Sequence, residues 1–337
     1  MKYIQVEITR SCNEKCLVCP HRKWKMEGMM DFNDFIKISK FFSSYDLVYL
    51  QGWGEPLLHK NFLDMLKIAK NKAKTGFTTN GRKLPKLAES VSIYTDYILV
   101  SFAGVECHNE LRGVSFDKAL DGVKAISEAK KELSTDIRIG VSYMLTTLNA
   151  EECKEFVKLV KDAGAEYIAF TNLDYVFDEI TDELRLFGKA KKEDEKAIDE
   201  SINLAKKFKI EVKKYPLRLE EQPVCDANPH LNITLSCECK IYPCIYLCFP
   251  FEKIERLFEG KKVFVEKPDF GELNCVKNEY KTFIERYLRR IQAYEKALDS
   301  VMISDPFTAI RKISNLNTVL RSFPPPDVCN TCYKLYL

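Results

Sequence analysis

The sequence predicts an α/β protein: a parallel-sheet part up to about residue 180, then a smaller α+β part rich in cysteine. Two observations predict it. Short apolar runs alternate with amphipathic helical stretches through residue 172, and the pattern changes character from Lys209 onward. The candidate strands are Ile4–Thr9, Leu47–Gln51, Thr75–Thr79, Tyr97–Phe102, Ile137–Met144 and Tyr167–Thr171. Between them, Phe62, Met65, Leu66 and Ala69, and then Phe116, Leu120, Val123 and Ile126, recur at the three/four spacing of one helical face. Ser115 is placed to cap the second of these helices, and Asn149 with Glu152 resembles a capping box for the next. Six β-α steps imply right-handed crossovers between parallel strands. They suit either an open doubly wound sheet or a partial barrel. Gln5, Glu7, Thr79 and Ser101 interrupt the apolar strands, as the interior of a barrel holding a polar ligand would require.

Residues 181–208 read as a charged helical linker, with Lys189–Lys196 as a solvated face followed by Ile198, Ile202 and Ala205. The second domain, 209–337, begins with strand-like Ile210–Lys213 and continues through a cysteine-rich hairpin from Leu231 to Cys244. Helical stretches over Tyr280–Ser300 and Pro306–Ser322 follow, then a Phe323–Asp327 turn.

The 337 residues suit one large domain plus a smaller one, and 46% hydrophobic content is ample for a core. A net charge of +3 does not argue for a nucleic-acid or membrane partner. No leader pattern opens the sequence, and no apolar run approaches the roughly 18 residues of a spanning helix. The expectation is a cytoplasmic protein. There, 13 cysteines point to metal or cluster ligation rather than disulfides, because thiols are kept reduced.

Three cysteines, Cys12, Cys16 and Cys19, follow the first strand in the spacing C-x3-C-x2-C. Random placement would give this spacing about 0.02 times in a chain of this composition. A four-iron cluster needs four ligands, so three clustered thiolates leave one iron open. A zinc site completed by His21 is the plainer alternative, although zinc favours shorter C-x-x-C knuckles. The spacing is similar to that of the radical S-adenosylmethionine (SAM) superfamily, with Val18 where the family more often has an aromatic residue. Further along, Gly52-Trp53-Gly54-Glu55-Pro56 resembles the family's Gly-Gly-Glu-Pro motif, Thr78-Thr79-Asn80-Gly81 ends the third strand, and Ser101…His108…Arg112 resembles its Ser-Leu-Asp-Gly…His…Arg stretch. Ala103 stands where that last stretch has aspartate.

The resemblance implies a partial (β/α)6 TIM-like barrel over residues 1–180. Such a barrel places its chemistry at the C-terminal strand ends, where every one of these motifs falls. It implies a SAM-binding [4Fe-4S] cluster on Cys12, Cys16 and Cys19, whose open iron chelates the amino and carboxylate groups of SAM. One electron then cleaves the sulfonium bond, and the 5′-deoxyadenosyl radical abstracts a substrate hydrogen. By the same resemblance Gly52, Gly54, Glu55, Pro56 and Asn80 belong to the SAM site. Ser101 would touch the ribose, and Arg112 the methionine carboxylate, which its planar fork suits; a surface salt bridge is the plainer reading of Arg112. Residues Gly140–Met144 and Thr171-Asn172 would flank the adenine.

Cys225, Cys244 and the closing pair Cys329/Cys332 resemble the auxiliary twitch domain, the shortened relative of the SPASM domain. The resemblance implies a four-cysteine auxiliary [4Fe-4S] cluster; a structural zinc is the alternative. Cys239 occupies the position of the family's hairpin glycine. Cys107, Cys153, Cys237, Cys248 and Cys275 have no assigned role, although ligand swaps among those near the auxiliary set stay open.

A cluster with four cysteine ligands has no open iron, so electron transfer is its implied work, suiting a net oxidation of substrate. Tyr143, Asn172 and Asp174 are candidates for the base. Relatives with this domain pair mature peptides, proteins or cofactors, or dehydrogenate small molecules. Ferredoxin or flavodoxin is the implied electron donor. The wording of residues 51–58 resembles SPASM-type proteins thought to act on tungsten-cofactor enzymes, and the molybdenum-cofactor cyclases are disfavoured. The first strand begins at residue 3, so a peptide maturase would need a separate recognition protein. Two other classes stay open: a non-enzymatic iron–sulfur electron carrier, and a zinc-stabilised nucleic-acid module built on Arg22–Lys25 and Arg286–Arg290. The second requires those basic residues to share a face.

Overall fold

The computed structural model describes residues 1–303 and 316–337. Its frame is a sheet of nine strands: β1 (Tyr3–Val6), β2 (Leu47–Leu50), β3 (Lys74–Thr79), β4 (Tyr97–Phe102), β5 (Arg138–Leu145), β6 (Tyr167–Asn172), β7 (Glu211–Lys214), β8 (Ile233–Leu235) and β9 (Ile241–Tyr242). They lie side by side in the order β7-β6-β5-β4-β3-β2-β1-β8-β9. From β1 to β7 each strand is parallel to the one before it. A doubly wound sheet reverses its strand order at a switch point; this one steps in a single direction six times, from β1 to β7, as a barrel does. β8 joins the free side of β1 in parallel, and β9 returns antiparallel. The sheet therefore stays open, ending in β7 on one side and β9 on the other.

The six expected strands are present, Tyr97–Phe102 with the expected bounds and the others with ends shifted by at most three residues. The strand expected to open the second domain pairs with β6 instead, Tyr167 opposite Glu211, and so extends the parallel sheet. The crossovers carry α1 (Phe32–Ile38), α2 (Phe62–Lys70), α3 (Ala88–Tyr94), α4 (His108–Arg112), α5 (Phe116–Leu133), α6 (Cys153–Asp162), α7 (Glu179–Leu184) and α8 (Lys192–Lys207). α5 starts after Ser115 as expected, without a side-chain cap bond. The capping box expected at α6 does not form: Asn149 Oδ1 accepts from Thr146 N at 2.8 Å, closing the turn after β5 instead.

Alternation along the strands sets what faces inward. In β4, Ile98, Val100 and Phe102 are buried while Tyr97, Leu99 and Ser101 are half-buried. Phe102 packs on Phe156 of α6 with ring centroids 5.3 Å apart, and Tyr143 packs on the same ring at 4.6 Å. On the inner face, Tyr49 lies over Gly76, where a Cβ would come within 2.9 Å of its ring. Its hydroxyl meets Thr78 Oγ1 at 2.9 Å.

After the hairpin come the antiparallel pair β10 (Lys253–Phe258) and β11 (Lys261–Glu266), then the long helix α9 (Asn278–Met302). Residues 316–322 are helical; the rest of the helix expected over Pro306–Ser322 lies outside the described residues. Arg290 of α9 is fully buried. It donates to the carbonyls of Pro223, Leu320, Phe323 and Gln222 and to Glu221 Oε1 at 2.7–3.0 Å, fastening three separate chain segments. No helix among the described residues is long and apolar enough to cross a membrane. Arg290→Met keeps the stem but strands these buried acceptors, so it should cost on the order of 3 kcal/mol. A fall in the urea-unfolding midpoint would read this.

Candidate active site

The loop after β1 is closed at its base by an antiparallel bridge between Thr9 and Met29, with Arg10 N donating to Gly28 O at 2.8 Å and Met30 N to Ile8 O at 2.9 Å. Within it, Leu17 N donates to Leu111 O at 2.8 Å, pinning the loop to α4, and Cys19 N turns back to Cys16 O at 3.2 Å. Cys12, Cys16 and Cys19 all line one cavity of about 610 Å³ at the C-terminal ends of the strands. Burial pushes the Cys19 thiol up to about 12, with Cys16 adding to it. At Cys16 burial also raises the thiol, but the Arg112 guanidinium works the other way and favours the thiolate.

Gly52, Gly54, Glu55, Asn80, Ser101 and Arg112 line the same cavity. Pro56 does not; it is buried and starts the 3-10 turn Pro56–Leu58. The two glycines allow a close approach of protein to protein. A Cβ on Gly52 would fall 2.2 Å from Glu7 Cγ, and one on Gly54 would fall 2.5 Å from the carbonyl oxygens of Thr9 and Ser11. Glu55 is buried, with Oε1 accepting from Leu57 N at 3.1 Å and Thr79 Oγ1 at 2.7 Å, and Oε2 from Asn80 N at 2.7 Å. Burial pushes its carboxyl up, and these donors oppose the shift. Asn80 Nδ2 donates in turn to Asn13 Oδ1 at 2.7 Å, reaching the cysteine loop.

Arg112 pairs with Glu14 Oε2 at 3.0 Å, a buried ion pair rather than a surface bridge. Glu14 also accepts from Cys16 Sγ at 3.6 Å. Sequence reasoning missed Glu14, although its place between two of the cysteines was the available signal. His108 supports the turn instead of facing the cavity: Ala103 N donates to its Nδ1 at 3.4 Å, and burial with Arg112 pushes its pKa down to about 3.

The far wall joins the expected Asp174 to three residues that sequence reasoning missed, Lys334, Asp226 and Tyr246. Lys334 meets Asp174 Oδ2 at 3.2 Å and Asp226 Oδ1 at 2.9 Å, Tyr246 donates to Asp174, and all four line the cavity. Burial would lower the Lys334 ammonium, but the two carboxylates hold it well above its ordinary value. Trp53 closes this side, stacked on Phe249 at 4.6 Å and Tyr246 at 5.8 Å. Of the expected bases, Asp174 and Asn172 line the cavity. Tyr143 does not: it is fully buried against α6, and its hydroxyl donates to Asn149 O at 2.7 Å.

Cys225, Cys244 and the pair Cys329/Cys332 converge from three places in the sequence and lie within electrostatic reach of one another. Cys239, in the hairpin's glycine position, takes the left-handed conformation that glycine favours, φ 60°. Cys153 is a buried core residue and Cys275 is exposed. Cys237 and Cys248 both approach Glu7 Oε2, at 3.8 and 3.6 Å. Among the described residues, no group of three or more His, Cys, Asp or Glu side chains has the arrangement of a single-ion site.

The two basic stretches form no free stripe. Arg22 pairs with Asp178, Lys23 with Glu255 and Lys25 with Glu27; Arg286 pairs with Asp327, Arg289 with Glu285 and Arg290 with Glu221.

Residues 6–160 match the Radical SAM superfamily. The chain carries a radical SAM domain. Members of this superfamily use a [4Fe-4S] cluster and SAM. The chain is 26% identical over 291 residues to a tungsten-containing aldehyde ferredoxin oxidoreductase cofactor-modifying protein of Pyrococcus furiosus, covering 80% of this chain and 78% of that one. It is 26% identical over 216 residues to a probable GTP 3′,8-cyclase of Methanocella arvoryzae, covering 61% and 68%. The fold is shared with Streptococcus suis SuiB bound to S-adenosylmethionine, at TM-score 0.58 and 14% identity over 99% of this chain and 71% of that one. It is shared too with anSMEcpe with bound AdoMet, at TM-score 0.59 and 17% identity over 85% and 83%. The fold shared with SuiB covers 99% of this chain and so extends past residues 6–160 into the cysteine-rich part.

Within the radical SAM domain, Glu55→Gln keeps the volume but replaces one acceptor oxygen with a donor facing other donors. It should lower stability by about 1–3 kcal/mol, read by urea unfolding; an unchanged midpoint would show that the carboxylate is not needed there.

Proposed function

We propose that this chain is a radical SAM oxidoreductase or maturase that binds SAM and substrate in the 610 Å³ cavity and acts on a cofactor or a cofactor-bearing protein. The observation that carries the reading is the set of groups assembled on that cavity. Three thiols, the donor set of a four-iron cluster with one open iron, share it with buried polar atoms that have no partner: Glu14 Oε1, Trp53 Nε1, Arg112 Nε and Asn172 Oδ1. Leaving such atoms unpaired costs about 1–3 kcal/mol each, and a polar ligand would offer them partners. The residues present fit the cofactor.

Cys12, Cys16 and Cys19 would hold the cluster, and the Gly52–Glu55 edge with Asn80, Ser101 and Arg112 would hold SAM. Once bound, the pair supplies a 5′-deoxyadenosyl radical that takes one hydrogen atom from the substrate. The protein's own residues do the rest. Arg112 and Glu14 keep a neutral ion pair beside Cys16, and Arg112 Nε is left free for a carboxylate. Trp53, Tyr175 and Tyr246, packed on one another, exclude water from the far wall of the cavity. Asp174, held by Tyr246 and Lys334, stands where it could accept the proton released in a net oxidation. Cys225, Cys244, Cys329 and Cys332 would hold an auxiliary four-iron cluster, which would supply an acceptor for the remaining electron. Cofactor maturation is favoured over other substrates by the similarity to the Pyrococcus furiosus cofactor-modifying protein, which covers most of both chains. Ferredoxin or flavodoxin would reduce the first cluster.

Anaerobically reconstituted protein should hold about eight irons and release 5′-deoxyadenosine from SAM on reduction with dithionite. The Cys12/Cys16/Cys19→Ala variant should keep about half the iron and release none. Iron-free protein, or intact SAM after reduction, would overturn the reading.

A further inference from the structure

Two buried donor atoms without a well-formed hydrogen bond, Tyr287 Oη and Arg256 Nε, converge on the second cysteine set. Tyr287 of α9 is fully buried, its ring packed on Phe283 with centroids 5.4 Å apart. Its hydroxyl makes no well-formed hydrogen bond and interacts with the thiols of Cys329, Cys225 and Cys332, Cys329 foremost. Arg256 of β10 is 4% exposed. Its Nη1 donates to Val328 O at 2.7 Å and its Nη2 reaches Tyr246 O at 3.5 Å, which fixes the fork, while Nε stays buried and unpaired. Around that guanidinium stand Cys332, Cys329 and Cys244.

Phenylalanine would fill the Tyr287 site without an orphaned hydroxyl, and an orphaned buried hydroxyl costs about 1–3 kcal/mol. Lys334, the other cation near these sulfurs, is already committed to Asp174 and Asp226. The Tyr287 hydroxyl and Arg256 Nε are therefore uncommitted donors beside the cysteines, delivered from two separate elements; Thr331 Oγ1, between Cys329 and Cys332 in the sequence, is a further unpaired buried atom. Hydrogen bonds to the sulfurs of an iron–sulfur cluster stabilise its reduced, more negative form and raise its potential.

We propose that the Tyr287 hydroxyl and the Arg256 guanidinium donate hydrogen bonds to sulfurs of the auxiliary cluster and raise its potential, suiting it to accept the one electron that the substrate radical gives up as it loses its proton. The proposal rests on the reading that Cys225, Cys244, Cys329 and Cys332 carry that cluster. Both are positioning residues, acting on the reaction through the cluster.

The experiment isolates the auxiliary cluster in the Cys12/Cys16/Cys19→Ala full-length chain, reconstituted anaerobically. The midpoint potential is read by redox titration followed by electron paramagnetic resonance, for the parent and with Tyr287→Phe or Arg256→Lys added. About four irons in each, and midpoints more negative in both variants than in the parent, are expected. Unchanged midpoints with iron retained would overturn the proposal and leave the cluster reading standing. A parent without iron would overturn the cluster reading, and the proposal with it. If either variant loses its iron, the reduced parent decides: a strongly coupled exchangeable proton, lost in deuterium oxide, supports the donors, and its absence overturns them.

Discussion

Glu55 is the fixed point of the cavity end of the sheet. Its backbone amide donates to Ser11 O at 2.9 Å, while its carboxylate gathers Leu57 N, Thr79 Oγ1 and Asn80 N. Asn80 then reaches Asn13, and Arg82 Nη1 donates to Asn13 O at 3.0 Å. One buried acid thus joins the ends of β2 and β3 to the loop that carries Cys12, Cys16 and Cys19. Gly54 makes the junction possible by lacking the Cβ that would strike Thr9 and Ser11. A cysteine loop on a flexible tether would present three thiols at variable spacing. Tied at its base, at α4 and at this junction, it presents them as a set.

The second cysteine set is joined to the first through the sheet. β1 leads directly into the Cys12 loop, and the β8–β9 hairpin, which runs on to Cys244, pairs along the other side of β1. Glu7 sits at this seam. It is fully buried, paired with Arg10 at 2.9 Å, and accepts from Trp53 N at 3.0 Å. Lys334, two residues past Cys332, returns to the cavity through Asp174 and Asp226. The cavity therefore has the first cysteine set at one wall and residues adjoining the second set at the other.

The parts legible in the sequence were those with local signals. Strand and helix periodicity placed the six central strands, and the C-x3-C-x2-C and Gly-x-Gly-Glu-Pro spacings placed the cysteine loop and its neighbouring turn. What stayed hidden depends on contacts between distant segments. Nothing local told that β7 would pair with β6, that Glu14 would meet Arg112, 98 residues away, or that Lys334 would bridge two acids. Tyr143 shows the converse. Its position on a strand suggested an active-site base, but strand alternation turned it outward into the core beneath α6. Arg290 likewise read as part of a basic face, yet its guanidinium serves carbonyls brought together only by folding.

The central claim is that SAM binds in this cavity to the open iron of a cluster held by Cys12, Cys16 and Cys19. The most direct test is electron-nuclear double resonance on the reduced, anaerobically reconstituted protein with SAM labelled with nitrogen-15 at the methionine amine. The account predicts a nitrogen-15 coupling to the cluster spin that vanishes in the Cys12/Cys16/Cys19→Ala variant. A reduced wild-type cluster with no such coupling at saturating SAM would contradict it.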